Sequence, residues 1–295
     1  MIRTARTILS TAIAVTIFLA SGAAMADKAQ AIYKQGLALK EQGKTDEAIA
    51  KFVAAVGVRS THGMAWSSLG HLYKKKKDYD NAVDAYEHAT KIIKKDSILW
   101  SNLGMAYYRA KRVDDALLAL QRACRLDPKN PDIHANLGVI KRKKGNAAGA
   151  IRHLELAVKY APNEATYASN LGVALRVEKR YEEAEKAFKK AISLNPTEAT
   201  YHFNLGAVYR RLENVDEAIK RYDEAVRLDP KLSKAWYDLG HMHRLNHDNE
   251  KAVAAFSTFL ELTSGKDTAA DKRVAEEIEA LGGAAPKKNR KRRKK

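Results

Sequence analysis

The chain has 295 residues, 6 prolines, a single cysteine and a formal charge of +18, with 30% of its residues charged. The lone Cys124 excludes an internal disulfide framework in any compartment. Few prolines among abundant Ala, Leu, Lys, Glu and Arg give a helical composition.

Arg3 and Arg6 precede an apolar run from Ile8 to Ala20 that only Ser and Thr interrupt, and Ala24-Met25-Ala26 then stands before Asp27. A positive start, a short apolar stretch and small residues at a cut site make a secretory signal peptide, so residues 1–26 are expected to be cleaved. The style is bacterial, which makes the periplasm the expected compartment. No Cys stands at the cleavage point, which argues against a lipoprotein anchor. The competing reading is an uncleaved inner-membrane anchor, because the 19 residues from Ile8 to Ala26 are near the lower limit for spanning a bilayer. The small residues at the end of the run and the lack of a basic stop-transfer flank favour cleavage. Cleavage removes only Arg3 and Arg6, lowering the charge from +18 to +16. Eight of the remaining basic residues fall within Lys287 to Lys295, so the part before the tail carries about +8.

Between the two ends the sequence repeats. Gly36, Gly70, Gly104, Gly138, Gly172, Gly206 and Gly240 are each 34 residues apart. Twelve residues after each stands Ala (Ala48, Ala82, Ala116, Ala150, Ala184, Ala218, Ala252), and four further on a large apolar side chain (Phe52, Tyr86, Leu120, Leu154, Phe188, Tyr222, Phe256). A second Ala column runs from Ala55 to Ala225 until Phe259 breaks it, and Pro128, Pro162, Pro196 and Pro230 close the four central units. The period predicts paired helices of about a dozen residues, each marginal alone. They are stable only when packed with axes ~8–10 Å apart, and Gly and Ala leave room for that approach. Trp66, Trp100, Trp236 and the Leu69-to-Leu239 column fill the seam, and each Pro ends a second helix.

Trp-x2-Leu-Gly-x2-Tyr followed by Ala, a large apolar residue, Ala and Pro at these offsets resembles the tetratricopeptide repeat over residues 29 to about 264. The resemblance implies an all-α fold, a right-handed superhelical solenoid of seven 34-residue units with a concave inner face. The expected units are 29–62, 63–96, 97–130, 131–164, 165–198, 199–232 and 233–264. The departures sit at the ends: Ile32, Gln35 and Ser60 in the first unit, Lys94 in the second, Phe259 and Ser264 in the seventh. Ala270, Val274, Ile278 and Leu281 recur at helical spacing, so residues 265–283 are expected to form a capping helix over Phe256 and Phe259, and 284–295 a disordered basic tail.

In this family the first helix of each pair lines the concave side. With the Trp column as position four, position six reads Lys34, Ser68, Asn102, Asn136, Asn170, Asn204 and Asp238. The four asparagines form a ladder similar to that in the repeat array of O-GlcNAc transferase, which holds extended polypeptide; nothing here resembles that enzyme's catalytic domain. An amide both donates to and accepts from a peptide backbone, and the column shows no obvious internal partner. The alternative is that these amides brace neighbouring helices. Position twelve adds Lys74, Arg142, Arg176, Arg210 and Arg244, and position thirteen Arg109, which would make the groove basic. Such a groove suits an extended acidic polypeptide, against the alternative of a solvated charged face. The Lys and Asn positions of the family's carboxylate clamp for chaperone C-termini are absent.

The remaining signals are weak. His243 and His247 have helical ligand spacing, but their columns face the seam and a turn, so no metal is expected. Cys124 shares a column with Val56, Val158, Ile192 and Val226 and reads as a small core residue. No nucleophile and base recur in one pocket, so neither catalysis nor a cofactor is expected. The tail residues Lys287, Lys288, Arg290, Lys291, Arg292, Arg293, Lys294 and Lys295 give the second functional reading: binding of a polyanion such as anionic lipid, lipopolysaccharide, cell-wall polymer or nucleic acid, with the repeats mediating self-association. The tail also reads simply as a solubilising segment.

Overall fold

The computed structural model describes residues 24–263 and 268–284. Most of the expected signal peptide and the basic tail from Lys287 onward lie outside the described residues, as does the start of the expected capping segment. Among the described residues the fold is all-α, with fifteen helices and no strand. Helix α1 covers residues 24–41. It is followed by α2 (Thr45–Val58), α3 (Gly63–Lys75), α4 (Tyr79–Ile92), α5 (Ser97–Arg109), α6 (Val113–Leu126) and α7 (Pro131–Lys143). Then come α8 (Ala147–Tyr160), α9 (Ala165–Val177), α10 (Tyr181–Leu194), α11 (Ala199–Arg211), α12 (Val215–Leu228), α13 (Ser233–Leu245), α14 (Asn249–Thr263) and α15 (Thr268–Ala280). The chain divides into two compact units, Met1–Ile140 and Lys141–Lys295.

Each second helix is amphipathic at helical spacing: in α12 the buried residues are Ala218, Tyr222, Ala225 and Val226. Their large side chain lies on the glycine of the paired first helix. A Cβ placed on Gly70 would stand 2.7 Å from the Tyr86 ring, one on Gly172 2.9 Å from Phe188, and one on Gly240 2.6 Å from Phe256. These glycines are therefore set by contact: an aromatic ring, or Leu120 at Gly104, lies where a side chain would begin. In the first unit Tyr86, Ala82 and Ala89 of α4 meet Leu99, Leu103 and Ala106 of α5, so consecutive repeats share one core. In the second, Val274 and Ile278 of α15 lie in a cluster with Phe256, Phe259 and Leu260.

The Trp column closes its own hydrogen bonds. The indole Nε1 of Trp66, Trp100 and Trp236 donates to the carbonyl six residues back, on Ser60, Lys94 and Pro230, at 2.7, 3.0 and 3.0 Å. His134 and His202 occupy the same column in their repeats and place Nε2 3.0 Å from the carbonyls of Pro128 and Pro196. An imidazole here reproduces the indole's one donor, which fixes the proton on Nε2.

The turn inside each pair carries a second column that the sequence reading did not use. Gly43, Lys77, Lys111, Gly145, Lys179, Glu213 and His247 all have positive φ, from 57 to 76°. The bonding is that of a Schellman end: Lys77 N–H reaches the Lys74 carbonyl at 3.0 Å, and Asp78 N–H reaches that of Tyr73 at 2.9 Å. The next residue caps the second helix. Asp78, Asn146, Asn214 and Asp248 each accept from the N–H three residues on. Arg112 and Arg180 instead reach Asp115 and Glu183 at 2.8 and 2.6 Å.

Two of the seven left-handed positions are Gly and five are exposed side chains. A left-handed residue with a Cβ costs roughly 1–2 kcal/mol, part of which glycine returns as chain entropy in the unfolded state. Glycine at Lys77, Lys111, Lys179, Glu213 or His247 is therefore expected to stabilise by about 0.5–1 kcal/mol each. Thermal unfolding followed by circular dichroism checks this; a lower midpoint in all five variants would contradict it.

Candidate peptide-binding face

In the first unit the position-six asparagines stand on α5 and α7. Asn102 Oδ1 accepts from Lys74 Nζ at 3.0 Å, and Asn136 Nδ2 donates to Ser101 Oγ at 3.3 Å. This corrects the expectation that the column has no internal partner: each rung is tied to the preceding repeat by one bond. Among the described residues each also keeps an unused half, the Asn102 amide group and the Asn136 carbonyl. Both line a cleft of about 240 Å³ with Ser101, Ile133, Asn130, Asp132 and the exposed Ile98. Lys74 is half-buried, and burial pulls its ammonium below the usual lysine range. Arg109 is exposed.

The second unit is built differently. Asn170 is half-buried and Asn204 buried, and neither has a side-chain hydrogen bond among the described residues. Arg210 Nη1 donates to Asp238 Oδ1 at 2.8 Å. Burial pushes the Asp238 carboxyl up while Arg210 draws it down. Arg244 Nη1 lies 3.9 Å and His241 Nδ1 3.7 Å from the Glu277 carboxylate on α15. Arg210 is thus paired and Arg244 faces Glu277, because Asp238 and Glu277 bring carboxylates to that face. Arg142 is exposed, whereas Arg176 is half-buried with its Nε buried and without a hydrogen-bond partner among the described residues. Burial is the main cause that lowers its guanidinium pKa; Tyr222 works against the shift, and Arg210, Arg211 and Arg142 add to it.

What the sequence reading missed is the relation between columns. Position twelve of one repeat meets position six of the next, 28 residues on, in both Lys74–Asn102 and Arg210–Asp238. The offset was available in the sequence, and the two lists of residues were read separately.

Elsewhere, His243 is buried and His247 stands at its left-handed turn. No group of three or more metal-capable side chains converges among the described residues. Cys124 packs beside Leu120 and Leu137, and burial pushes its thiol up. No helix of the described residues is long and apolar enough to cross a membrane. The eight basic tail residues named above fall outside the described residues.

The family model described as the cilia and flagella-associated protein 70 C-terminal domain, a tetratricopeptide-repeat model, matches residues 5–231, and the model described as tetratricopeptide repeat matches residues 203–267. No curated protein matches the chain in sequence. Among solved structures, the chain is similar to a crystal structure of MamA, with 26% identity over 56% of this chain and 96% of that one and a TM-score of 0.52. The PilF structure of Pseudomonas aeruginosa shares the fold, with 21% identity over 70% of this chain and 94% of that one and a TM-score of 0.59. So does YrrB, described as a tetratricopeptide-repeat protein with an unusual peptide-binding site, with 19% identity over 66% of this chain and all of that one and a TM-score of 0.54. Repeat period, paired helices and matched models agree: the chain belongs to the tetratricopeptide-repeat family, in the group that the cilia and flagella-associated protein 70 C-terminal domain model describes.

Proposed function

We propose that this chain, a protein-interaction scaffold by family, binds an extended acidic polypeptide along the inner-face asparagine and arginine columns and works in the bacterial envelope. The observation that carries the ligand reading is the state of the second unit's inner face. Asn170 and Asn204 hold amides that the described residues leave without side-chain partners, beside the unpaired Arg176. Amides spaced along a stack engage the main chain of an extended peptide, and guanidinium groups take its carboxylates. The peptide-binding site named for YrrB supports a ligand of this kind. The envelope reading rests on Arg3, Arg6, the Ile8–Ala20 run and Ala24-Met25-Ala26. It predicts that the N-terminus of the exported protein is Asp27; a protein recovered from the periplasm beginning at Met1 would contradict it.

The eight basic residues between Lys287 and Lys295 favour the second reading, polyanion binding through the tail, and one experiment separates the two. Binding of a fluorescent Glu/Ser peptide is measured for the whole protein, for a variant lacking Lys287–Lys295, and for the variant with Asn102, Asn136, Asn170 and Asn204 all changed to Ala. The inner-face reading predicts binding that survives tail deletion and falls about tenfold or more in the alanine variant, since several backbone hydrogen bonds are lost. Loss on tail deletion with no change in the alanine variant would overturn it in favour of the polyanion reading.

A further inference from the structure

We propose that Arg176 is the anchor for an acidic side chain of the bound polypeptide, a half-buried rung where the ligand supplies a carboxylate that the chain supplies to itself one repeat later. This rests on the inner-face reading above and assigns the acidic contact to one rung of the column.

The position-twelve column of the second unit reads Arg142, Arg176, Arg210 and Arg244. Arg210 bonds to Asp238 at 2.8 Å, and Asp238 stands at position six of the following repeat. Arg244 faces Glu277 at 3.9 Å. Counting the same 28 residues on from Arg176 reaches Asn204, a neutral amide. Arg176 is thus Arg210 without its aspartate. Among the described residues it forms no ion pair and its buried Nε has no hydrogen bond; the neutral Tyr222 phenol lies near it, and three other guanidinium groups, of Arg210, Arg211 and Arg142, act against it.

A half-buried cation among like charges, with an unmet buried donor, is unfavourable in the free protein, and an arriving anion relieves both. The chain shows which anion this column takes, because the two carboxylates on the next two rungs are side-chain carboxylates. The planar guanidinium fork matches that group. Asn170 stands six residues before Arg176 on α9 and Asn204 28 residues after it, both at position six, so the acidic side chain would arrive on a main chain that the amides hold.

Asn204→Asp tests this by giving Arg176 the internal partner that Asp238 gives Arg210. Two fluorescent peptides serve as probes, one alternating Glu and Ser, the other Gln and Ser. The wild-type protein is expected to prefer the Glu peptide by about tenfold, the scale of a charge-assisted hydrogen bond. Asn204→Asp is expected to abolish that preference, with no loss of thermal stability. Asn204→Ala is expected to weaken both peptides and keep the preference, which separates charge filling from loss of an amide. Asp238→Asn, which frees Arg210, is expected to enlarge the preference. A Glu preference that survives Asn204→Asp overturns the assignment of Arg176 while leaving the inner-face reading intact. Failure of both peptides to bind wild-type protein overturns that reading and this assignment together.

Discussion

Phe188→Ala is expected to destabilise the protein by about 3–5 kcal/mol, the cost of an emptied aromatic site in a packed core. Phe188 is 0% exposed and shares its cluster with Leu175, Ala184, Leu205, Val208 and Tyr222, so the ring touches its own repeat and the following one. Because stability in a repeat stack is a sum of units and their interfaces, a defect in a middle repeat uncouples the stack. The unfolding curve is therefore expected to broaden or split, as well as move. Urea denaturation followed by circular dichroism reads both effects. Leu118→Ala, at a side chain 64% exposed, serves as the control and is expected to change stability by less than about 0.5 kcal/mol. A Phe188→Ala midpoint indistinguishable from that control would contradict the shared-core description.

The second large effect comes from the opposite side of the same contact. A Cβ on Gly172 would sit 2.9 Å from three atoms of the Phe188 ring, closer than carbon atoms pack. Gly172→Ala improves helix propensity by about 1 kcal/mol, while forced overpacking costs about 1–3 kcal/mol. Phe188 is fully buried in a close-packed cluster, so the cost is expected to win with a net loss of about 1–2 kcal/mol. In a Phe188→Ala background the clash is gone and the propensity term remains, so the same substitution is expected to stabilise. The reversal of sign is the diagnostic result of the double-mutant cycle. A loss of equal size in both backgrounds would mean that Gly172 serves something other than the approach of α10.

The repeat fold was legible in the sequence because its determinants are local and periodic. The Gly36-to-Gly240 column and the aromatic or Leu column sixteen residues later are two sides of one contact, seen at Gly36, Gly70, Gly104, Gly172, Gly206 and Gly240. Three features were not read, each for a physical reason. His134 and His202 were not connected with the Trp column, yet an imidazole Nε2 reaches the same carbonyl as an indole. The left-handed turns escaped notice because five of the seven carry Lys, Glu or His in place of glycine. The site was the least legible part. Columns say which residues share a face, but only the stacking offset says which touch, so the ties of Lys74 to Asn102 and of Arg210 to Asp238 went unseen.

Those ties divide the candidate residues. Asn102, Asn136, Lys74 and Arg210 already have partners within the protein, while Asn170, Asn204 and Arg176 hold the unspent capacity. The difference between the two pairs of asparagines is the substance of the functional account, and it makes the account local: binding energy is expected to concentrate in the second unit.

The most direct test is a nuclear magnetic resonance titration of the isotope-labelled protein with the Glu/Ser peptide, following the side-chain NH2 signals of asparagine and the Nε–H of arginine. The account predicts the largest changes at Asn170, Asn204 and Arg176, with smaller ones at Asn102 and Asn136 and little change in the signals of Lys287–Lys295. Changes confined to the tail, with the asparagine amides and Arg176 unmoved at saturation, would contradict it and make the inner-face columns purely structural.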